Sequence, residues 1–91
     1  MARKSVNVGR FRRDIKLMER RGKYIEKIKT VMRMLALDIP LDPLLRDHPL
    51  IGDYTGRREC HIESDWLLIY KLDPGIVIFE RTGTHSDLFG K

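Results

Sequence analysis

The 91-residue sequence predicts an α+β domain, with two N-terminal helices packed on one face of an antiparallel sheet. Two changes of pattern predict this class. Up to residue 37, apolar residues recur every three to four positions, the period of an amphipathic helix. From residue 57 the pattern becomes short apolar and aromatic runs separated by turn residues, as in consecutive hairpins. A chain of this length supports one domain, residues 1–91, and shows no repeat, linker or low-complexity segment.

The elements follow in order. Ser5-Val6-Asn7-Val8 alternates weakly and predicts a short edge strand. Phe11, Ile15 and Met18 line one face of a helix from Arg10 to Arg21, which Gly22 ends. Tyr24, Ile28, Val31 and Leu35, widened by Ile25 and Met32, form a second helical stripe that Pro40 and Pro43 stop in a loop. The resulting hairpin, residues 10–37, exposes a basic outer face. Arg57 to Ile62 suits a strand and Glu63-Ser64-Asp65 a turn. Trp66-Leu67-Leu68-Ile69-Tyr70 predicts a central strand buried on both faces. Asp73-Pro74-Gly75 predicts another turn, and Ile76-Val77-Ile78-Phe79 a second buried strand running on through Arg81. His85 to Phe89 suits one helical turn.

Composition narrows the partners. Residues 1–33 hold twelve Lys or Arg against three Asp or Glu, a balance of +9, and residues 34–91 hold six against ten, a balance of −4. A basic lobe beside a mildly acidic one points to a polyanionic partner, although a solvated helix surface explains the charge equally well. The single cysteine, Cys60, permits no internal disulfide and fits a reducing, cytoplasmic location. Basic residues open the chain without the apolar stretch of a signal peptide, and no run approaches the length of a membrane span.

The three histidines, His48, His61 and His85, fall in loops or near strand ends, where a rigid sheet commonly presents functional groups. Asp65 and Arg81 occupy comparable positions. The Glu63–Asp65 turn puts His61 and Asp65 at one end of the sheet, and Arg81 closes the neighbouring strand near that end. Cleavage of RNA by its own 2′-hydroxyl needs a base, a cation for the phosphoryl oxygens and an acid for the departing 5′-oxygen. Histidine suits both proton transfers, arginine the phosphate, and an aromatic ring such as Phe89 a splayed base. Each residue in isolation has a plainer reading: Asp65 as a turn residue, Arg81 paired on the surface with Glu80 or Asp87, Trp66 and Tyr70 as core, and Cys60 facing the core. Three histidines and an aspartate also suit zinc, but no HxxxH or CxxC pairing is present and His48 precedes Pro49 in a loop, so no metal and no cofactor are expected.

Three motifs join these residues. They are Asp47-His48-Pro49-Leu50 followed by Gly52; Arg58-Glu59-Cys60-His61-Ile62 followed by Asp65-Trp66-Leu67-Leu68-Ile69-Tyr70; and Arg81-Thr82-Gly83-Thr84-His85-Ser86-Asp87-Leu88-Phe89. Their order and spacing resemble the YafQ-type toxins of the RelE/ParE superfamily over nearly the whole chain. The resemblance implies a curved, mainly antiparallel sheet of four to five strands. It also implies the toxin of a type II toxin–antitoxin pair, which cuts mRNA on the ribosome and blocks translation. It places His48, His61, Asp65, Arg81 and His85 in the catalytic site, with Phe89, Trp66 and Arg58 contacting substrate. His85 would be the general acid and Arg81 the phosphate ligand, while His48, His61 and Asp65 would share the base and orienting roles. The family often has Arg-Asp-Ala-His where this chain has Arg58-Glu59-Cys60-His61, which leaves the role of Glu59 open.

The implied partners are small-subunit ribosomal RNA, held by Lys16, Arg20, Arg21, Lys23, Lys27 and Lys29, and an acidic antitoxin of the DinJ/RelB kind that folds on binding. Two alternatives remain at this stage. One is a toxin of the same fold that binds DNA gyrase without cutting RNA, a branch that lacks the histidine set. The other is a plain RNA-binding module.

Overall fold

A computed structural model describes residues 2–90. The chain forms β1 (Lys4–Asn7), helices α1 (Gly9–Arg20) and α2 (Ile25–Ala36), then β2 (His48–Pro49), β3 (Arg58–Glu63), β4 (Trp66–Asp73), β5 (Ile76–Gly83) and a short α3 (His85–Phe89). The strands make one open sheet in the order β1-β5-β4-β3-β2. The β2/β3, β3/β4 and β4/β5 pairs are antiparallel, and β1 lies parallel to β5 at the edge. The fold class, the helical hairpin and the edge position of β1 agree with the sequence reading. His48 and Pro49 differ from it slightly: they pair with Glu59 and Arg58 as a two-residue strand instead of lying in free loop.

Both long helices end in Schellman motifs. After α1, Gly22 takes φ 83°, its N–H donates to Glu19 O, and the Lys23 N–H donates to Met18 O. After α2 the left-handed position falls to Asp38, at φ 58°. A non-glycine residue there costs about 1–2 kcal/mol. Arg3 offsets that cost: its Nη1 donates to Leu35 O at 2.7 Å, and its Nη2 pairs with the Asp38 carboxylate at 3.0 Å.

The main core lies between the helices and one face of the sheet. Phe11, Met18, Ile28, Val31 and Leu35 meet Cys60, Trp66, Leu68, Tyr70, Val77 and Phe79 there. The indole N–H of Trp66 donates to Thr82 Oγ1 at 2.9 Å, and that hydroxyl donates to Leu67 O at 2.6 Å, so these buried polar atoms are satisfied. On the opposite face Leu67 and Ile69 are covered by Leu88 of α3, with Leu50 and Tyr54 beside them. β4 is therefore buried on both faces, as its unbroken apolar run predicts. β5 is not: Val77 and Phe79 are buried under the helices, but Ile76 and Ile78 are only partly covered. The second layer reaches no further than α3 and the 50–54 loop.

Register shifts interrupt β3 between His61 and Glu63, and the β4/β5 pair at Ile69/Tyr70. Such bulges re-aim neighbouring side chains, and both lie beside the residues described next. Among the described residues no helix is long and apolar enough to cross a membrane.

Candidate active site

Alternation along the strands decides which residues share the face opposite the long helices. Cys60 points into the main core, so Glu59 and His61 point the other way. β2 places His48 beside Glu59, the β3–β4 turn supplies Asp65, and α3 supplies His85 and Phe89. Four rings follow one another across this face. His48 and His61 have ring centres 6.1 Å apart, His61 and His85 5.9 Å, and His85 and Phe89 6.4 Å. Tyr54 closes the row, its ring edge-on to Phe89 at 5.7 Å. The structure thus gathers His48, His61, Asp65, His85 and Phe89 in one place.

Each outer histidine is held by an acceptor. His85 Nδ1 lies 2.6 Å from Asp65 Oδ1, and the His85 backbone N–H donates to the same oxygen at 2.9 Å. A carboxylate can only accept here, so Nδ1 carries the proton and Nε2 is left for exchange. The His85 backbone N–H first, and its ring second, hold the Asp65 carboxyl below its usual range. α3 itself is fixed by a capping box: Thr84 Oγ1 accepts from the Asp87 N–H, and the Asp87 carboxylate accepts from the Thr84 N–H. Asp87 also binds Arg21 at the end of α1 at 2.6 Å, and that pairing lowers its carboxyl pKa to about 2.

At the other end of the row, His48 Nδ1 lies 2.6 Å from Arg46 O, and its Nε2 lies 3.2 Å from Glu59 Oε2. His48 thus faces the Arg46 carbonyl with one ring nitrogen and the Glu59 carboxylate with the other. His61 Nε2 stands 3.6 Å from the same carboxylate oxygen. Glu59 is 6% exposed, and its Oε1 has no hydrogen-bond partner among the described residues. Proximity of His48, Glu59 and His61 within 4.8 Å also makes them the group best placed here to hold a divalent metal.

Arg81 is committed differently from the sequence reading. It pairs with neither Glu80 nor Asp87: Glu80 binds Arg57, and Asp87 binds Arg21. Instead Asp14 of α1 takes Arg81 Nε at 2.7 Å and Nη2 at 3.3 Å, and also accepts from the Thr82 N–H at 3.1 Å. Asp14 does so because β1 stops at Asn7, leaving the outer edge of this stretch of β5, the edge away from β4, without a strand neighbour. Asp14 first, with a contribution from Tyr54, pushes the Arg81 pKa up, so it stays a cation.

Two expected substrate contacts lie on the wrong face. Trp66 is fully buried in the main core and cannot stack on a base. Arg58 shares the helix-side face with Cys60 and pairs with Asp47 at 3.3 Å. The Cys60 thiol is buried, and burial pushes its pKa up to about 12, so it is no nucleophile. Among the basic residues assigned to docking, Arg21 is paired with Asp87, Lys23 and Lys27 both bind Glu63, at 2.7 and 2.8 Å, and Lys29 sits 3.7 Å from Glu26. Lys16 and Arg20 show no such partner among the described residues.

Sequence reasoning missed Asp14, the role of Tyr54 and the central place of Glu59. The same alternation that assigned Cys60 to the core puts Glu59 beside His61. Nothing local marks Asp14, whose partner is 67 residues away. The row of rings lies between two clefts: one of about 310 Å³ lined by Leu44, Arg46, His61 and Ser64 among others, and one of about 500 Å³ lined by Ile51, Asp53, Tyr54, Leu88 and Phe89.

Comparison with known proteins identifies the family and the fold. Residues 3–90 match the model of a family described as the bacterial toxin of a type II toxin–antitoxin system, YafQ. The mRNA interferase toxin YafQ of Escherichia coli strain K12 is 46% identical over 83 residues, 90% of each chain. The crystal structure of YafQ from E. coli BL21(DE3) superposes with a TM-score of 0.92 at 43% identity, covering 97% of this chain and 99% of that one. The toxin in the crystal structure of the E. coli DinJ–YafQ toxin–antitoxin complex superposes with a TM-score of 0.91 at 43% identity, covering 99% and 100%. The chain belongs to the YafQ family of type II toxins.

Proposed function

We propose that this YafQ-family mRNA interferase cuts mRNA on the ribosome by attack of a 2′-hydroxyl on the adjacent phosphate, without a metal. One observation carries the reading: three imidazoles stand in a row, the outer two each beside a carboxylate, with an exposed aromatic ring next to His85. The 2′-oxygen forms a bond to phosphorus as its proton passes to the Glu59–His48–His61 group. The bond to the 5′-oxygen breaks, and His85 Nε2 supplies the proton to that oxygen. The products are a 2′,3′-cyclic phosphate and a 5′-hydroxyl. Asp65 orients His85 and balances its charge, its Oδ1 accepting from both the backbone and the ring of that residue. Arg81, oriented by Asp14, meets the phosphoryl oxygens, and Phe89 stacks on a base in the cleft beside Tyr54.

Lys16 and Arg20 are the docking cations free to hold small-subunit ribosomal RNA, and the cations paired with Glu63 and Asp87 contribute less. The relative in the DinJ–YafQ complex supports an acidic antitoxin of that kind as the neutralising partner. A toxin that only bound its target would leave the imidazole–carboxylate pairs without a use. Primer extension on translated mRNA tests the proposal: new 5′ ends appear with the wild type and vanish with His85→Ala. No new ends with the wild type would defeat the nuclease reading, and equal cutting by the variant would remove His85 from it.

A further inference from the structure

The histidine at the end of the row has little strand to hold it. β2 is two residues long, and His48 and Pro49 pair only with Glu59 and Arg58. The residue before it is anchored far more firmly. Asp47 lies on the opposite, helix-side face of the β3 edge. There its Oδ1 accepts from the Tyr70 hydroxyl, and its two oxygens accept from Arg58 Nε and Nη2, each at 3.3 Å. Tyr70 is fully buried at the centre of the main core, so one end of this clasp is set in the rigid part of the protein. Burial first, and the bond to Asp47 second, push the Tyr70 pKa up, which keeps its hydroxyl a donor.

The backbone on either side is constrained as well. Arg46 takes the left-handed conformation, φ 51°, and its carbonyl accepts from His48 Nδ1. Successive extended residues point to opposite faces. A carboxylate fixed on one face of the strand edge therefore fixes the imidazole that follows it on the other.

We propose that Asp47, clasped by Tyr70 and Arg58, is a positioning residue that sets His48 against Glu59 for RNA cleavage. The proposal rests on the reading that His48 takes part in the reaction. It gives Arg58, which lies away from the site, a use within it, and extends the catalytic apparatus through the sheet to the core of the other face.

A double-mutant cycle on the full chain, with cleavage of mRNA on translating ribosomes as the assay, tests it. Asp47→Asn weakens the clasp, and Tyr70→Phe removes one bond with little change of shape, so it serves if Asp47→Asn folds poorly. Each single variant should lower kcat roughly 10-fold to 100-fold, the scale of a group misplaced by about 1 Å, with KM changed less than about twofold. In a His48→Ala background neither should lower kcat further. The ring carbon-bound proton resonances of His48 in the NMR spectrum should shift in both, with those of His85 unmoved. Wild-type kcat in both clasp variants, alongside a crippled His48→Ala, would overturn the proposal and leave the role of His48 standing. Losses that multiply in the His48→Ala background would overturn it too, since Asp47 would then act by another route. Wild-type cleavage by His48→Ala would end the role of His48 and the proposal with it.

Discussion

Replacing Asp14 by Asn should destabilise the fold and disorder Arg81 together. Asp14 accepts three hydrogen bonds, from Arg81 Nε, Arg81 Nη2 and the Thr82 N–H. An asparagine keeps one good acceptor, which can serve Thr82, but turns its NH₂ toward a guanidinium. Side-chain exposure is 12% for both Asp14 and Arg81, so water replaces little of what is lost. Removing one partner of a fully buried pair costs about 3–5 kcal/mol. Discounted for the residual exposure and the surviving bond to Thr82, the loss comes to about 3 kcal/mol. For a domain of this size that lowers Tm by about 12–24 °C. Urea unfolding followed by Trp66 fluorescence, with calorimetry, measures both quantities. Adding Arg81→Met to the variant should recover part of the stability, because no charge is then left uncompensated. A loss below about 0.5 kcal/mol, or no recovery in the double variant, would refute the account of Asp14 as the counterion of Arg81.

The carboxyls of Asp87, Asp65 and Glu63 are all held below their ordinary values, chiefly by Arg21, the His85 backbone and Lys23. Their contribution to stability is therefore complete above about pH 5 and is lost as pH falls through their lowered values, for Asp87 about 2, and Asp87→Asn should flatten the lowest part of the acid-unfolding curve; an unchanged curve would count against the α3 anchor. Zinc should inhibit cleavage by occupying His48, Glu59 and His61, with a chelator restoring activity and Glu59→Gln weakening the inhibition. A chelator alone should leave wild-type cleavage intact, and a loss of activity on chelation would reverse the metal-free reading. Neutralising Lys16 and Arg20 to Gln should lower the salt slope of ribosome binding by roughly 1.4–1.8, whereas the same change at Lys23 and Lys27 should chiefly cost stability by freeing Glu63. Equal slopes for the two pairs would contradict the division between free and paired cations.

Periodicity alone located both long helices and the strands of the second half, because their burial is one-sided or two-sided in the simplest way. The double burial expected of Ile76–Phe79 failed for want of a second layer over Ile78, a fact about neighbours that a local apolar run does not carry. The nearness of His61 to Asp65 follows from the turn between β3 and β4, whereas His48 joins the site in the sequence only through the family resemblance. Trp66 alternates with Leu67 and so shares its face with Leu68, as Arg58 does with Cys60, which agrees with the plainer reading of Trp66 as core. Asp14 and Asp47 were out of reach. Each acts through partners 11 to 68 residues away, and a lone aspartate in a helix or before a histidine has no local signature of that role.

The strand order also bears on how the chain reaches this structure. β3, β4 and β5 are joined by two tight turns, so the pairs His61↔Leu67 and Asp73↔Ile76 close over a few residues. The parallel pairing of β1 closes Lys4 onto Ile76, across nearly the whole chain. Loop-closure entropy grows with that separation, so contacts between neighbours form fast and the distant pair late. The hairpins that carry His61, Asp65 and Arg81 can thus zip up from their own turns, while the counterion of Arg81 arrives only when α1, tethered to β1, docks on the edge of β5. Conservative substitutions along β4 should slow folding, and those at Val6 should chiefly speed unfolding.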